Sequence, residues 1–106
     1  MDKKTTLKKE LRIFAKKISE KYPLEQMYLF GSRARGAAKK WSDVDLLLVS
    51  KAFMKKNSLK RAPPLYMAWD LEYPVDFICL TPKEFEVKKK EFGVVQEALK
   101  HGIKVV

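Results

Sequence analysis

Gln26-Met27-Tyr28-Leu29-Phe30-Gly31-Ser32-Arg33-Ala34-Arg35-Gly36 is followed, five residues later, by Ser42-Asp43-Val44-Asp45-Leu46-Leu47-Leu48-Val49. The first five residues are short, apolar and aromatic, which predicts a buried strand. Gly31-Ser32 breaks it. Residues 34–39 can form a short helix, with Gly36 weakening its middle. Residues 43–49 predict a second strand, apolar on both faces past Asp45, the pattern of an interior strand in a covered sheet.

Upstream, Leu7, Leu11, Phe14 and Ile18 recur at steps of 4, 3 and 4. That spacing predicts a helix over about residues 5–21 with one apolar stripe, ended at Tyr22-Pro23 because proline cannot continue the hydrogen bonding. Downstream, residues 50–57 are polar and predict a loop. Ser58 can cap a helix over 59–69, interrupted by Pro63-Pro64. Residues 74–80 predict the third strand. Thr81-Pro82-Lys83-Glu84 is a strong helix start: Thr81 caps, Pro82 takes the first helical position, and Glu84 reaches back. That helix should stop near Gly93, and a further one over 94–100 should close at Gly102. Residues 103–106 can add an edge strand. Helices alternate with three or four strands around one sheet, so the class is α/β or α+β.

The chain has 106 residues, 46% of them hydrophobic and 34% charged, which fits one globular domain over residues 1–106. Cys79 is the one cysteine, which excludes an internal disulfide and a cysteine-based structural zinc site; it reads as a small hydrophobe of the third strand. His101 is the one histidine, so a Ser-His-Asp triad is hard to build. No apolar run approaches the ~20 residues of a membrane span, and the charged N-terminus does not read as a signal peptide. The expected location is the cytoplasm. A formal net charge of +10 creates a field that attracts anions. The bases are spread along the chain without interleaved aromatics, so nucleic-acid binding is a lesser hypothesis. Salt-dependent retention on DNA would revive it.

The chemistry lies in three acids. Asp43 and Asp45 stand at i and i+2 of a strand, so both carboxylates point to one face. Asp76 interrupts the apolar run 75–80, where a lone carboxylate is costly to bury. If the third strand pairs beside the second, Asp76 completes a cluster. Carboxylates this close raise one another's pKa unless a cation is present, and oxygen-only ligation suits Mg²⁺. Just upstream, Gly31 permits close backbone approach to a ligand, Ser32 adds a hydroxyl, and Arg33 and Arg35 can bind phosphate oxygens. Each element alone has a plain reading: a turn at Ser42-Asp43, a capping role for Asp45, a lysine partner for Asp76, turn glycines at 31 and 36. Their coincidence at fixed offsets favours a polyphosphate–metal site. Tyr66 and Trp69 read as core or partner-facing residues at helical spacing. Trp41 either stacks on a base or docks a partner, or else covers the short helix.

Gly31-Ser32-Arg33-Ala34-Arg35-Gly36 followed by Ser42-Asp43-Val44-Asp45-Leu46 resembles the signature of the minimal nucleotidyltransferases, small members of the DNA polymerase β-like nucleotidyltransferase superfamily. The resemblance covers nearly the whole chain, including Val75-Asp76-Phe77 and Ala98-Leu99-Lys100-His101-Gly102-Ile103. It implies a mixed sheet flanked by helices. It implies that Asp43, Asp45 and Asp76 are catalytic acids binding two Mg²⁺, and that Gly31 and Ser32 hold the triphosphate, with ATP the expected substrate. Many relatives are antitoxins paired with a HEPN-domain partner, and some transfer AMP from ATP to a tyrosine of that partner. Lys39-Lys40-Trp41 departs from the family's usual residues before the Ser-Asp, which changes the loop rim and leaves the acids intact. The rival reading is a non-catalytic binding module that neutralises its partner by covering it; self-association is left open.

Overall fold

The computed structural model describes residues 3–36, 38–39 and 42–106, with side chains from Thr6 onward. Trp41 therefore lies outside the described residues. Four strands form one sheet: β1 (Gln26–Phe30), β2 (Val44–Val49), β3 (Val75–Leu80) and β4 (Ile103–Lys104), in the order β3-β2-β1-β4. β1 is antiparallel to β2 and to β4, whereas β2 and β3 run parallel, so the sheet is mixed. β2 is interior, as its apolar run requires: Leu46, Leu47, Leu48 and Val49 are all fully or almost fully buried.

Alternation along β2 sends its side chains to two cores. Val44, Leu46 and Leu48 join a core with Leu7, Leu11, Phe14 and Ile18 of α1 (Lys3–Ile18). Leu47 and Val49 face the other side, where they meet Phe85 of α5 (Pro82–Lys88) and Val95 and Ala98 of α6 (Val94–His101). Two buried faces on one thin sheet explain why β2 shows no polar alternation after Asp45.

Several boundaries differ from the sequence expectation, each for a local reason. The short helix after β1 is α2 (Ser32–Arg35), not 34–39; Gly36 closes it in the left-handed conformation, φ 76° and ψ 12°, rather than sitting inside it. Residues 51–55 form a 3₁₀ turn in place of a loop, with the Ser50 hydroxyl accepting from the Ala52 N–H. The expected 59–69 helix is two pieces, α3 (Ser58–Arg61) and α4 (Pro63–Ala68), split at Ala62 by the proline pair, and the residue in the capping position is Asn57 rather than Ser58. The capping box at Thr81 and Glu84 forms as read, but α5 ends at Lys88, short of Gly93. Cys79 is half-buried, and burial pushes its thiol pKa up to about 12, so it stays a neutral apolar filler.

Candidate active site

The two acids lie at the N-terminal end of the parallel strand pair. The register sets Asp45 directly beside Asp76, and laterally adjacent residues of paired strands point to the same face. That face is the one shared by Leu47, Val49 and Leu80, toward α5 and α6. Asp43 precedes β2 by one residue and is exposed. Asp76 is also exposed, so the cost of burying a carboxylate inside β3 does not arise: the acid sits where the strand begins. Asp45 is half-buried, and its carboxyl is held above the usual range by burial first, then by the neighbouring charges of Asp76, Asp43 and Glu97. Asp76 and Asp43 thus both act on Asp45. Among the described residues, no three acidic, histidine or cysteine side chains are gathered closely enough to enclose an ion.

The glycine loop closes on the same point. Gly31 has φ 76° and ψ −156°, a conformation open essentially to glycine alone. A Cβ added there would lie 2.4 Å from Asp45 Oδ2. The Gly31 backbone therefore runs against the Asp45 carboxyl, and no side chain fits between them. Gly31 carbonyl accepts from the N–H groups of Ala34 (3.1 Å) and Arg35 (3.2 Å), which closes the turn of α2 and fixes the entry of Ser32.

The two arginines are engaged with protein groups. Arg33 Nε donates to the Ser42 carbonyl at 3.0 Å, and its guanidinium lies 4.6 Å from the centre of the Tyr73 ring. Arg33 thereby ties α2 to the segment entering β2, which is also held by Val44 N–H on the Pro74 carbonyl (2.7 Å) and Lys39 N–H on Ser42 Oγ (2.8 Å). Arg35 forms an ion pair with Glu97 of α6. Sequence reasoning missed Glu97, which reads as an ordinary exposed residue on an amphipathic helix. It also missed the role of Tyr66, whose hydroxyl donates to Asp76 Oδ1 at 3.1 Å. Trp69 is a packing residue: it meets Phe14 and Phe77 edge-on and donates to the Tyr73 carbonyl.

The Gly31 backbone thus lies against an acid whose strand neighbour is a second acid, and comparison with known proteins identifies the family. The nucleotidyltransferase domain family matches residues 11–105. The chain belongs to that family. It is 34% identical over 94 residues to the Haemophilus influenzae protein named "Probable protein adenylyltransferase MntA", spanning 83% of this chain and 80% of that one. A crystal structure of a candidate nucleotidyltransferase from Sulfolobus solfataricus superposes with a TM-score of 0.66 at 25% identity, over 95% of this chain and 80% of the other. The mixed four-stranded sheet is thus a nucleotidyltransferase fold, and the general reaction is nucleotidyl transfer. Among the described residues no helix is long and apolar enough to cross a membrane.

Proposed function

We propose that residues 1–106 act as one minimal nucleotidyltransferase domain that moves a nucleoside monophosphate, AMP from ATP, onto a hydroxyl of a partner protein. The observation that carries this reading is the pairing of Asp45 with Asp76 beneath the Gly31 backbone. The donor chemistry fits a divalent hard cation: carboxylate oxygens only, and mutual repulsion at Asp45 that a cation would relieve. Asp43 and Asp45 would hold the metal that accompanies the triphosphate, and Asp76 with them a second Mg²⁺ on the acceptor side. When bound, Mg²⁺ supplies polarisation of the α-phosphate and neutralises the charge that develops during an in-line displacement.

The chain's own contributions are distinct. Gly31 and Ser32 receive the triphosphate by close backbone approach and a hydroxyl donor. Arg33 holds Asp43 in register through Ser42 and, with Arg35, whose guanidinium is oriented by its ion pair with Glu97, offers positive charge to the phosphates. Asp76, exposed at the edge of the sheet, takes the proton of the acceptor hydroxyl. The MntA resemblance supports a protein as acceptor, and the family signature supports a HEPN-domain toxin, which makes this chain the antitoxin of a toxin–antitoxin pair.

The test uses ATP labelled at the α- or the γ-phosphate, Mg²⁺ and the product of an adjacent gene. Transfer of the α label, lost with a chelator and in Asp45→Asn, is the expected result. Transfer of the γ label would make the protein a kinase. A stable complex with no transfer, unchanged by Asp45→Asn, would instead favour the binding module.

A further inference from the structure

Tyr66 belongs to α4 yet its hydroxyl reaches the acid cluster. β3 is an edge strand, and Tyr66 lies along its open side. The ring packs edge-on to Phe77 with centroids 4.9 Å apart. The hydroxyl accepts from the Phe77 N–H at 3.4 Å and donates to Asp76 Oδ1 at 3.1 Å. The residue remains 43% exposed, so reagents in solution can reach it.

The order of groups across the sheet is the informative part. Gly31 follows β1, Asp45 lies on β2 against it, Asp76 lies on β3 beside Asp45, and the Tyr66 hydroxyl lies beyond Asp76. An in-line displacement needs its nucleophile and its leaving group on opposite sides of the phosphorus under attack. The Gly31 backbone, where the triphosphate is proposed to dock, stands at one end of this row, so pyrophosphate would leave on that side. A hydroxyl already hydrogen-bonded to a carboxylate stands on the other. General-base catalysis requires hydrogen-bond reach between base and nucleophile, and Tyr66 and Asp76 are within it.

Resting on the nucleotidyl-transfer reading, we propose that Tyr66 is itself an acceptor, and that the protein modifies its own α4 with a nucleoside monophosphate. The Tyr66 oxygen attacks the α-phosphorus of a nucleoside triphosphate. The bond from that phosphorus to the β-phosphate oxygen breaks, pyrophosphate leaves, and the phenolic proton passes to Asp76 Oδ1. The product is a phosphodiester on Tyr66, and each chain reacts once. The adduct would sit beside Asp76, so self-modification would also limit access of other acceptors.

The experiment incubates the full chain alone with α-labelled ATP and Mg²⁺ and maps the label by peptide mass spectrometry. The expected result is one label per chain on Tyr66, at a first-order rate independent of protein concentration. Tyr66→Phe keeps the ring on Phe77 and removes only the nucleophile, so the label should fall by at least about tenfold with unchanged thermal unfolding; Asp76→Asn should slow labelling about a hundredfold. A label on another residue that survives Tyr66→Phe, or a rate proportional to protein concentration, overturns the proposal. If no self-label forms while the α label passes to an added hydroxyl-bearing protein, self-modification is wrong and nucleotidyl transfer stands. If neither occurs, both fall.

Discussion

The parallel pair β2–β3 has two ends with opposite electrostatic design. At the C-terminal end, Arg61 is buried at 6% exposure and its charge is matched: its guanidinium bonds Glu84 at 2.6 and 3.3 Å, the Cys79 carbonyl at 3.2 Å and the Lys56 carbonyl at 3.1 Å. Glu84 also completes the capping box of α5. At the N-terminal end, Asp45 and Asp76 face each other with like charge, and burial first, then the facing acids, raise the Asp45 pKa. The Arg61 contact, foremost, holds the Glu84 carboxyl below its ordinary range. One end is satisfied within the fold. At the other, like charges meet with the Tyr66 hydroxyl donating to Asp76, and a substrate–metal complex would bring the positive charge.

The sharpest way to break this contrast is at Asp45. Asp45→Asn removes charge from the unmatched end, and nucleotidyl transfer should fall roughly a thousandfold, the scale set by losing a group that stabilises transition-state charge. Thermal unfolding should not drop, because the variant relieves repulsion. A large loss of stability alongside unchanged transfer would mean that the acids serve the fold.

The matched end should respond the other way. Arg61→Leu leaves Glu84 without its partner and the Cys79 carbonyl without a donor. Truncating one member of a fully buried pair costs about 3–5 kcal/mol, and because the Glu84 side chain is 41% exposed the expected loss here is about 2–3 kcal/mol. Denaturant unfolding measures it, and transfer activity per folded molecule should hold. Gly31→Ala tests the junction of loop and acid. The φ of 76° is unavailable to alanine without strain, and the new methyl would displace the Asp45 carboxyl. The expected cost is about 1–3 kcal/mol of stability together with a loss of transfer. Gly36→Ala also meets a positive φ, yet nothing lies within 4 Å of its Cβ, so it should spare activity.

The difference between the two ends also marks what the sequence could and could not disclose. The strands were legible because each has its own local signature: the aromatic run 26–30 and the unbroken apolar run 46–49. Asp43 and Asp45 were legible as candidates because they stand at fixed offsets from Gly31-Ser32, Asp76 because it interrupts an apolar run, and the Thr81-Glu84 box because its spacing is mechanical. Arg61 was not, because its neighbours Lys55, Lys56 and Lys60 make it look like one more solvated base, and only the packing of α3 against β3 buries it. Glu97, and the contact of Tyr66 with Asp76, were invisible for the same reason. Each reaches the site from a helix distant in the chain, and the residues flanking it signal nothing more than an amphipathic face. Helix ends were misjudged where a glycine could serve either inside or just past a helix, as Gly36 does.

The finest probe of the contrast is pH. Asp45 has a folded pKa above its ordinary 3.8, so the folded protein binds that proton more tightly than the unfolded chain does. Stability from this group is therefore greatest in acid and declines as pH rises from 3.8 through the raised value. Glu84 has a folded pKa below its ordinary 4.5, so its contribution is present above 4.5 and is lost as pH falls through the lowered value. The two ends of one strand pair thus tilt the stability curve in opposite directions over neighbouring pH ranges. Denaturant unfolding between acid and neutral pH resolves them by difference. Asp45→Asn should gain on the parent protein as pH rises, and Glu84→Gln should lose on it. Added Mg²⁺ with ATP should erase the Asp45 trend, because a bound cation lowers the pKa of the acids around it, and should leave the Glu84 trend in place. A Glu84 trend that vanished with Mg²⁺ and ATP would mean that the two ends are coupled through the strands, and the separation drawn between them would fail.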